Sequence, residues 1–108
     1  RKGVLLMQSS GVGNCINALA LPQICRIPFF TIVSMRGEWG EFIPWQVPMG
    51  QATPSVLGAM DVKVFRADRK EDVGATVDAA ANFSFNTRQS SAVLLSQKMI
   101  GAKQFKEG

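Results

Sequence analysis

The sequence predicts an α/β fold: an open, mainly parallel sheet with helices on both faces. Short apolar segments that suit buried strands alternate along the chain with segments of helical pattern. Polar turns follow the first two of these strands, as they do where open α/β sheets bind ligands. The 108 residues are 46% hydrophobic and 19% charged, so we predict one domain, residues 1–108, with its own core.

The first predicted strand covers residues 4–8 and leads into Ser9-Ser10-Gly11-Val12-Gly13-Asn14. Its continuous apolar run is typical of a strand buried on both faces of a parallel sheet. We predict a glycine turn next, because Gly11 and Gly13 can take positive φ and let another molecule approach the backbone. Asn14 suits a helix N-cap, so a helix is predicted from there to about residue 20, stopped by Pro22. Strand, turn and helix together indicate one wall of a cofactor site, although such turns are also common structural devices.

The strongest strand is predicted over residues 28–35, which are rich in β-branched and aromatic side chains. Arg36-Gly37-Glu38 then forms a polar turn. Residues 38–50 have no regular period and contain both tryptophans and two prolines. A loop of this length is often functional. Two interpretations have equal weight here: a lid or subunit-contact loop beside a site, and a loop that only covers the edge of the sheet.

The second half of the chain predicts two helices and two strands. Thr53 as N-cap and Pro54 at the first position begin a helix that ends at Asp61. A strand over residues 62–67 follows. Asp68 is predicted to cap a helix over residues 69–86, whose alanines and valines form a buried stripe. Residues 91–96 form the last strand, and residues 101–108 a polar tail.

Charge and cysteine content disfavour several classes of protein. The net charge of +4 is spread along the chain without a dense basic stripe, so nucleic-acid binding is not predicted. Cys15 and Cys25 occur in a chain without histidine, which disfavours a structural zinc site, and we expect reduced thiols in a cytoplasmic protein. No apolar run approaches 18 residues and no signal-peptide pattern begins the sequence, so no membrane association is predicted.

The two polar turns are expected to be neighbours in space. The carboxyl ends of parallel strands meet at one edge of a sheet, and ligands bind outside that edge. Ser9 to Asn14 and Arg36 to Glu38 each follow a predicted strand directly. They should therefore line the same site.

Four blocks of the sequence carry a family resemblance. They are Met7-Gln8-Ser9-Ser10-Gly11-Val12-Gly13-Asn14 with Ile16-Asn17-Ala18-Leu19; Ser34-Met35-Arg36-Gly37-Glu38; Gln46 with Met49-Gly50 and Ala52-Thr53-Pro54; and Val93-Leu94-Leu95-Ser96-Gln97-Lys98. In this order they resemble the pyrimidine-binding domain of thiamine-diphosphate-dependent decarboxylases. The resemblance is strongest to the alpha subunit of sulfopyruvate decarboxylase, with phosphonopyruvate decarboxylase as a near relative. It covers almost the whole chain, and no single block would be specific.

The resemblance implies a shared active site. Thiamine diphosphate would lie between this domain and a beta subunit that carries the diphosphate-binding domain and holds the diphosphate and Mg²⁺, in a homo- and hetero-oligomer. This chain would contribute no metal ligand and would line the pyrimidine side of the site. A 2-oxo acid would lose carbon dioxide, with the cofactor as electron sink, and be released as an aldehyde. From sulfopyruvate that aldehyde is sulfoacetaldehyde.

The resemblance also implies which residues line the site. The expected cofactor-binding residues are Ser10, Gly11, Val12, Gly13 and Asn14. The expected substrate residues are Arg36, Glu38 and Gln46. Arg36 would suit a sulfonate or phosphonate through charge-assisted hydrogen bonds, the alternative being an ion-paired loop residue.

One part of the family pattern falls outside the sequence. The activating glutamate of the family lies upstream of the first block, so we expect it before Arg1, in residues that this chain lacks. Glu38 and Glu41 belong to other motifs and are not assigned that role. The chain as given is then expected to be inactive alone. Two alternatives stay open: a non-catalytic subunit-interaction module with the same fold, and an unrelated open α/β domain such as a nucleotide binder, which no Walker lysine supports.

Overall fold

Four strands form one all-parallel sheet in this computed structural model, which describes residues 2–41 and 43–100. The strands are β1 (Leu5–Gln8), β2 (Phe29–Ser34), β3 (Lys63–Ala67) and β4 (Ser90–Leu95). The helices are α1 (Ser9–Cys15), α2 (Ala20–Cys25), α3 (Gln46–Ala59), α4 (Lys70–Thr87) and α5 (Gln97–Ile100), with a 3₁₀ turn at Asn17–Leu19. The strand order is β1-β2-β4-β3. The predicted α/β class and parallel sheet are confirmed.

Helices cover both faces of the sheet, as predicted. Val33 and Leu94 point to one face, where they pack with residues of α1 and α3. Phe30 and Val93 point to the other face, where Ala80 of α4 packs against them. Successive residues of a strand face opposite sides, and burial on both sides explains why β2 and β4 are continuously apolar in sequence. The core is therefore two apolar layers separated by the sheet.

The predicted strands agree with the structure within one or two residues. β4, the last strand in sequence, lies between β2 and β3, and its register places Ser34 and Ala67 level with Leu95. β1 is the strand at one edge, held to β2 by ladder bonds and by Thr31 Oγ1, which donates to the Leu5 carbonyl at 2.7 Å. The prediction that this strand is buried on both faces is wrong, because Leu5 and Leu6 are exposed at the edge of the described sheet. This alignment brings the carboxyl ends of all four strands to one edge of the sheet.

The glycine turn predicted after β1 is wrong, because α1 begins directly at Ser9. Gly11 and Gly13 are helical, and the positive-φ glycines of the described residues are Gly37 and Gly40. Asn14 lies in the last turn of α1 and is not an N-cap. The described geometry gives Gly13 a packing role, because a Cβ there would lie 2.7 Å from Met49 Sδ of α3. The missing side chain lets the two helices approach closely.

Three predicted helix boundaries are also wrong. Pro22 lies inside α2 and does not stop it, a position that the first turn of a helix tolerates. α3 begins at Gln46, seven residues before Thr53, whose hydroxyl donates to the Met49 carbonyl at 2.6 Å inside the helix. Pro54 therefore lies within α3, and the predicted loop is shorter than expected. Asp68 does not cap α4, because its carboxylate accepts from Arg66 at 2.8 Å. The predicted tail, residues 101–108, lies outside the described residues.

Candidate functional site

The candidate site lies at the carboxyl edge, where the segments that follow the strands meet. The candidate site consists of the following residues at or beside that edge: Gln8, Ser9, Met35 to Glu41, Gln46, Arg66, Asp68, Ser96 and Gln97. The Arg36 amide donates to Ser9 Oγ at 3.0 Å, so the segments that follow β1 and β2 are in contact. The expectation that the two polar segments are neighbours is confirmed. The segment after β4 joins them, because Gln97 Oε1 accepts from the amides of Glu38 and Trp39 at 2.8 and 2.9 Å.

Glu41 is the anchor of the loop after β2. Its side chain is 3% exposed and accepts hydrogen bonds from Arg36 Nε at 2.7 Å, the Gly37 amide at 3.0 Å and Gln97 Nε2 at 3.0 Å. The Ile43 amide also donates to it, at 3.2 Å. These bonds, chiefly that from Arg36, lower the pKa of Glu41 from 4.5 to about 2. The carboxylate is therefore ionised and fully occupied at neutral pH, which makes it unsuited to proton transfer.

Arg36 is an ion-paired residue at the carboxyl edge. Its guanidinium donates twice to Glu41 and its Nη1 lies 3.4 Å from Gln8 Oε1. The hydrogen bond to Glu41 raises the pKa of the Arg36 guanidinium above its ordinary value. The side chain is 13% exposed, so part of it still faces solvent. This geometry agrees with the ion-paired interpretation, and the predicted substrate role stays a prediction.

Glu38 joins the segments that follow three strands. Its carboxylate accepts from Arg66 Nη2 of β3 at 2.7 Å and from the Gln97 amide at 3.1 Å. Arg66 also pairs with Asp68, directly after β3. Glu38 is thus held by residues up to 59 positions away in sequence. Its predicted substrate role stays a prediction.

Gln46 is the predicted substrate residue with the least exposure. It is the first residue of α3 and 2% exposed, and its Oε1 has no hydrogen-bond partner within residues 2–41 and 43–100. A buried amide oxygen without a donor costs free energy, commonly about 1–3 kcal/mol. It is therefore an unused acceptor beside the carboxyl edge.

Two glycines fix the loop against α3. Gly37 has φ +73°, and a Cβ there would lie 2.5 Å from the Gln46 carbonyl oxygen. A Cβ on Gly50 would lie 1.8 Å from the Arg36 carbonyl oxygen. Both positions allow backbone to meet backbone, which no other residue permits without displacement. They set the position of Arg36 and Gln46 relative to each other.

The predicted cofactor-binding residues fall into two groups. Val12 is fully buried in the core and Gly13 abuts Met49, so both serve packing. Ser10 and Gly11 are half-buried near the start of α1, and Asn14 is exposed on its last turn. Ser10 Oγ accepts from Gln8 Nε2 at 2.6 Å. Contact with a cofactor stays a prediction for all five residues.

Sequence reasoning missed Glu41, Gln97 and Gly50 as structural residues of the site. Gln97 belongs to the fourth block of the family resemblance and Glu41 to the loop after β2, and neither has a predicted role. A glutamate within a loop rich in aromatic residues and proline indicates a carboxylate that is buried and hydrogen-bonded, because burial of an unpaired charge is costly. Its partners, 5 and 56 residues away, could not be read from spacing.

Apolar side chains are exposed beside the carboxyl edge. Trp39 is 52% exposed, Trp45 66% and Val47 38%. All three belong to the loop after β2 or the first turn of α3. Exposed tryptophans of this kind mark contact surfaces more often than other residues do.

Other features bear on the class of protein. Within the described part of the chain, no three Asp, Glu or Cys side chains lie close enough together to hold a metal ion. Cys15 and Cys25 are free thiols, as predicted. Among the described helices, none combines the length and the apolar character needed to cross a membrane.

The chain is similar in sequence to several curated proteins. It is 38% identical over 96 residues to the sulfopyruvate decarboxylase subunit alpha of Methanococcus maripaludis, covering 88% of this chain and 58% of that protein. It is 42% identical over 97 residues to the subunit of the same name from Methanothermobacter thermautotrophicus, covering 84% and 56%. The chain thus spans little more than half the length of these curated relatives. No family model matches it.

A third relative has the same name. The sulfopyruvate decarboxylase subunit alpha of Methanocaldococcus jannaschii is 33% identical over 95 residues, covering 87% of this chain. The resemblance predicted from four blocks of sequence is confirmed by these alignments. The chain is similar, along most of its length, to the alpha subunits of sulfopyruvate decarboxylase.

Proposed function

We propose that this chain is part of the alpha subunit of a thiamine-diphosphate-dependent decarboxylase that converts sulfopyruvate to sulfoacetaldehyde and carbon dioxide. The observation that carries the proposal is the identity of 38% and 42% over most of the chain to proteins named sulfopyruvate decarboxylase subunit alpha. Those names favour sulfopyruvate over phosphonopyruvate as the substrate. The words "subunit alpha" support a second subunit.

We place the pyrimidine half of the cofactor at the carboxyl edge. An aminopyrimidine ring needs apolar contacts and a few hydrogen-bonding groups, and the buried, unpartnered Oε1 of Gln46 is an acceptor that an amino group would satisfy. Ser10, Gly11 and Asn14 would offer polar groups from the other side. The cofactor, when bound, supplies the electron sink for decarboxylation.

We place Mg²⁺ and the diphosphate on the partner, as the family resemblance implies. The exposed surface of Trp39, Trp45 and Val47 lies beside the carboxyl edge and supports a subunit contact there. We propose a heteromeric assembly in which a beta subunit covers this surface. The free thiols of Cys15 and Cys25 support a reducing, cytoplasmic compartment.

The chain's own residues would position the substrate. Arg36 is held by Glu41 and retains partial exposure, so its charge would attract the sulfonate from a fixed position. Glu38 and Glu41 are both occupied by donors, and neither is proposed as the activating glutamate.

The direct test mixes the full-length protein with its candidate beta partner, thiamine diphosphate, Mg²⁺ and sulfopyruvate. We expect carbon dioxide release only when both chains are present. Equal release by the beta chain alone would refute the assignment. Phosphonopyruvate in a parallel reaction separates the two substrates, and we expect the slower turnover from it.

A further inference from the structure

A cleft of about 470 Å³ opens at the amino ends of the strands, on the side of the sheet opposite the carboxyl edge. It lies where α2, α3 and α4 end and where β3 and β4 begin. Its lining includes Arg26, Asp61, Lys63, Phe83, Arg88 and Ser90. The volume lies in the range of small-molecule sites. The proposed decarboxylation uses none of these residues.

The charged side chains of the cleft are mainly cationic. Within residues 2–41 and 43–100, Arg26, Lys63 and Arg88 make no ion pair, whereas Asp61 accepts a hydrogen bond from Gln23 Nε2 at 2.6 Å. Three cations against one carboxylate leave two positive charges. The carboxyl ends of the three helices carry partial negative charge and lower the positive potential in the cleft. An anion would therefore have to be held by direct contact with the cationic groups.

A buried hydroxyl points to the same ligand chemistry. Ser90 is the first residue of β4, lines the cleft and is only 4% exposed. Its Oγ has no hydrogen-bond partner among the described residues. A buried hydroxyl without a partner is costly, and an acceptor bound in the cleft would satisfy it.

The backbone positions of the two arginines are unusual. Arg26 and Arg88 follow α2 and α4 directly and have φ of 54° and 58°. Helices commonly end on glycine at this left-handed position, because a side chain there is strained. An arginine costs stability at such a position relative to glycine. The structure has this arrangement at both Arg26 and Arg88, at the rim of one cleft, and Asp61, which follows α3 at the same rim, also has a positive φ of 58°.

We propose that this cleft binds a small phosphate-bearing anion. Guanidinium groups match phosphate oxygens with paired hydrogen bonds, and two net positive charges match a dianion. Arg26 and Arg88 hold the phosphate, Lys63 adds charge, and Ser90 Oγ donates to it. Phe83, already packed edge-on against Phe65, provides an apolar wall for the rest of the ligand.

The test titrates inorganic phosphate into the full-length protein at constant ionic strength and follows backbone amides by NMR. We expect saturable shifts at Arg26 and at residues 88–90. The double variant Arg26→Gly/Arg88→Gly removes both guanidinium groups and suits the left-handed backbone, so it should fold. It should weaken binding by about tenfold or more for each guanidinium removed.

Two further variants make the test specific. Arg69→Gln removes an exposed arginine that pairs with Asp72 on α4, and it should leave the phosphate affinity unchanged. Ser90→Ala should weaken binding about threefold while the melting temperature stays equal or rises, because an unsatisfied hydroxyl is removed. The proposal fails if phosphate causes no shifts at the cleft, if the shifts lie only around Arg36, or if the double variant binds as well as the parent. These outcomes do not depend on decarboxylase activity.

Discussion

Gly50 provides a sharp test of how the candidate site is built. A Cβ at this position would lie 1.8 Å from the Arg36 carbonyl oxygen, 2.8 Å from the carbonyl carbon and 3.1 Å from Gly37 Cα. All three atoms belong to the backbone, so no side-chain rotation can relieve the contact. A normal non-bonded contact is about 3.5 Å, well above the 1.8 Å that the Cβ would have. Gly50→Ala must therefore separate α3 from the loop after β2 by more than about 1 Å.

The expected cost follows from overpacking. Such insertions commonly cost about 1–3 kcal/mol, and a backbone-to-backbone contact belongs at the upper end. Alanine is more favourable than glycine inside a helix by about 0.5–1 kcal/mol, which offsets part of this cost. We therefore expect a net loss of about 2 kcal/mol or more in the free energy of unfolding, or about 1 M in the urea midpoint for a domain of this size.

Gly58→Ala is the matched control. It lies in the same helix, and a Cβ there meets nothing within 4 Å. It should be neutral or slightly stabilising, since only the helix preference changes. Urea unfolding of full-length variants, followed by tryptophan fluorescence, measures both. If Gly50→Ala is as stable as the parent, or if the two variants lose equal stability, the packing described for α3 and Arg36 is wrong.

Three further predictions concern polar contacts. The pKa of Glu41 is about 2 in the folded protein, against an ordinary value of 4.5, which gives up to about 3 kcal/mol of stability above pH 4.5 that is lost as the pH falls towards 2. Glu41→Gln should reduce the difference in stability between pH 7 and pH 3 in urea titrations, and an unchanged difference would contradict this prediction. Arg36→Met should lower the free energy of unfolding by about 3–5 kcal/mol, because it leaves the Glu41 carboxylate without its cation. The double variant Arg36→Met/Glu41→Met should recover part of this loss, and strictly additive effects of the two substitutions would show that the two side chains are not coupled. Ser84→Ala removes the hydroxyl that bonds the Phe29 carbonyl at 2.9 Å and Ser91 Oγ, and should lower the free energy of unfolding by about 1–3 kcal/mol. The control Ser55→Ala, at an exposed position, should lower it by no more than about 0.5 kcal/mol, and equal changes in melting temperature for the two variants would refute a role for the Ser84 hydrogen bonds.

The strands and the fold class were predictable because burial leaves a direct trace in composition. Residues 29–34 and 90–95 are apolar or small on both faces, and the structure places them at the centre of the sheet. α4 was predictable to within one residue because its buried stripe recurs at helical spacing.

The helix starts were less predictable, for a physical reason. Ser9, Gly11 and Gly13 have weak helix preference, so the segment favours a turn by local rules. α1 is nevertheless helical, with Val12 buried in the core and Gly13 against α3. The start of α3 was misplaced in the same way, because Thr53-Pro54 is a strong start signal that here lies inside the helix. Tertiary packing overrides local preference at both positions.

The edge itself was predicted, but its contacts were not. Parallel topology was enough to place Arg36 beside the end of β1. The network around Glu41 depends on residues from segments that only the folded sheet brings together.

The position of β4 has a consequence for the order of folding. This strand is synthesised last of the four and yet joins β2 to β3, so the two halves of the sheet share no ladder until it is in place. Gln97, two residues beyond it, then closes the loop that holds Glu38 and Glu41. A growing chain that still lacks residues 90–97 would therefore expose both apolar layers and have no assembled carboxyl edge. The carboxyl edge therefore cannot assemble fully before β4 completes the sheet.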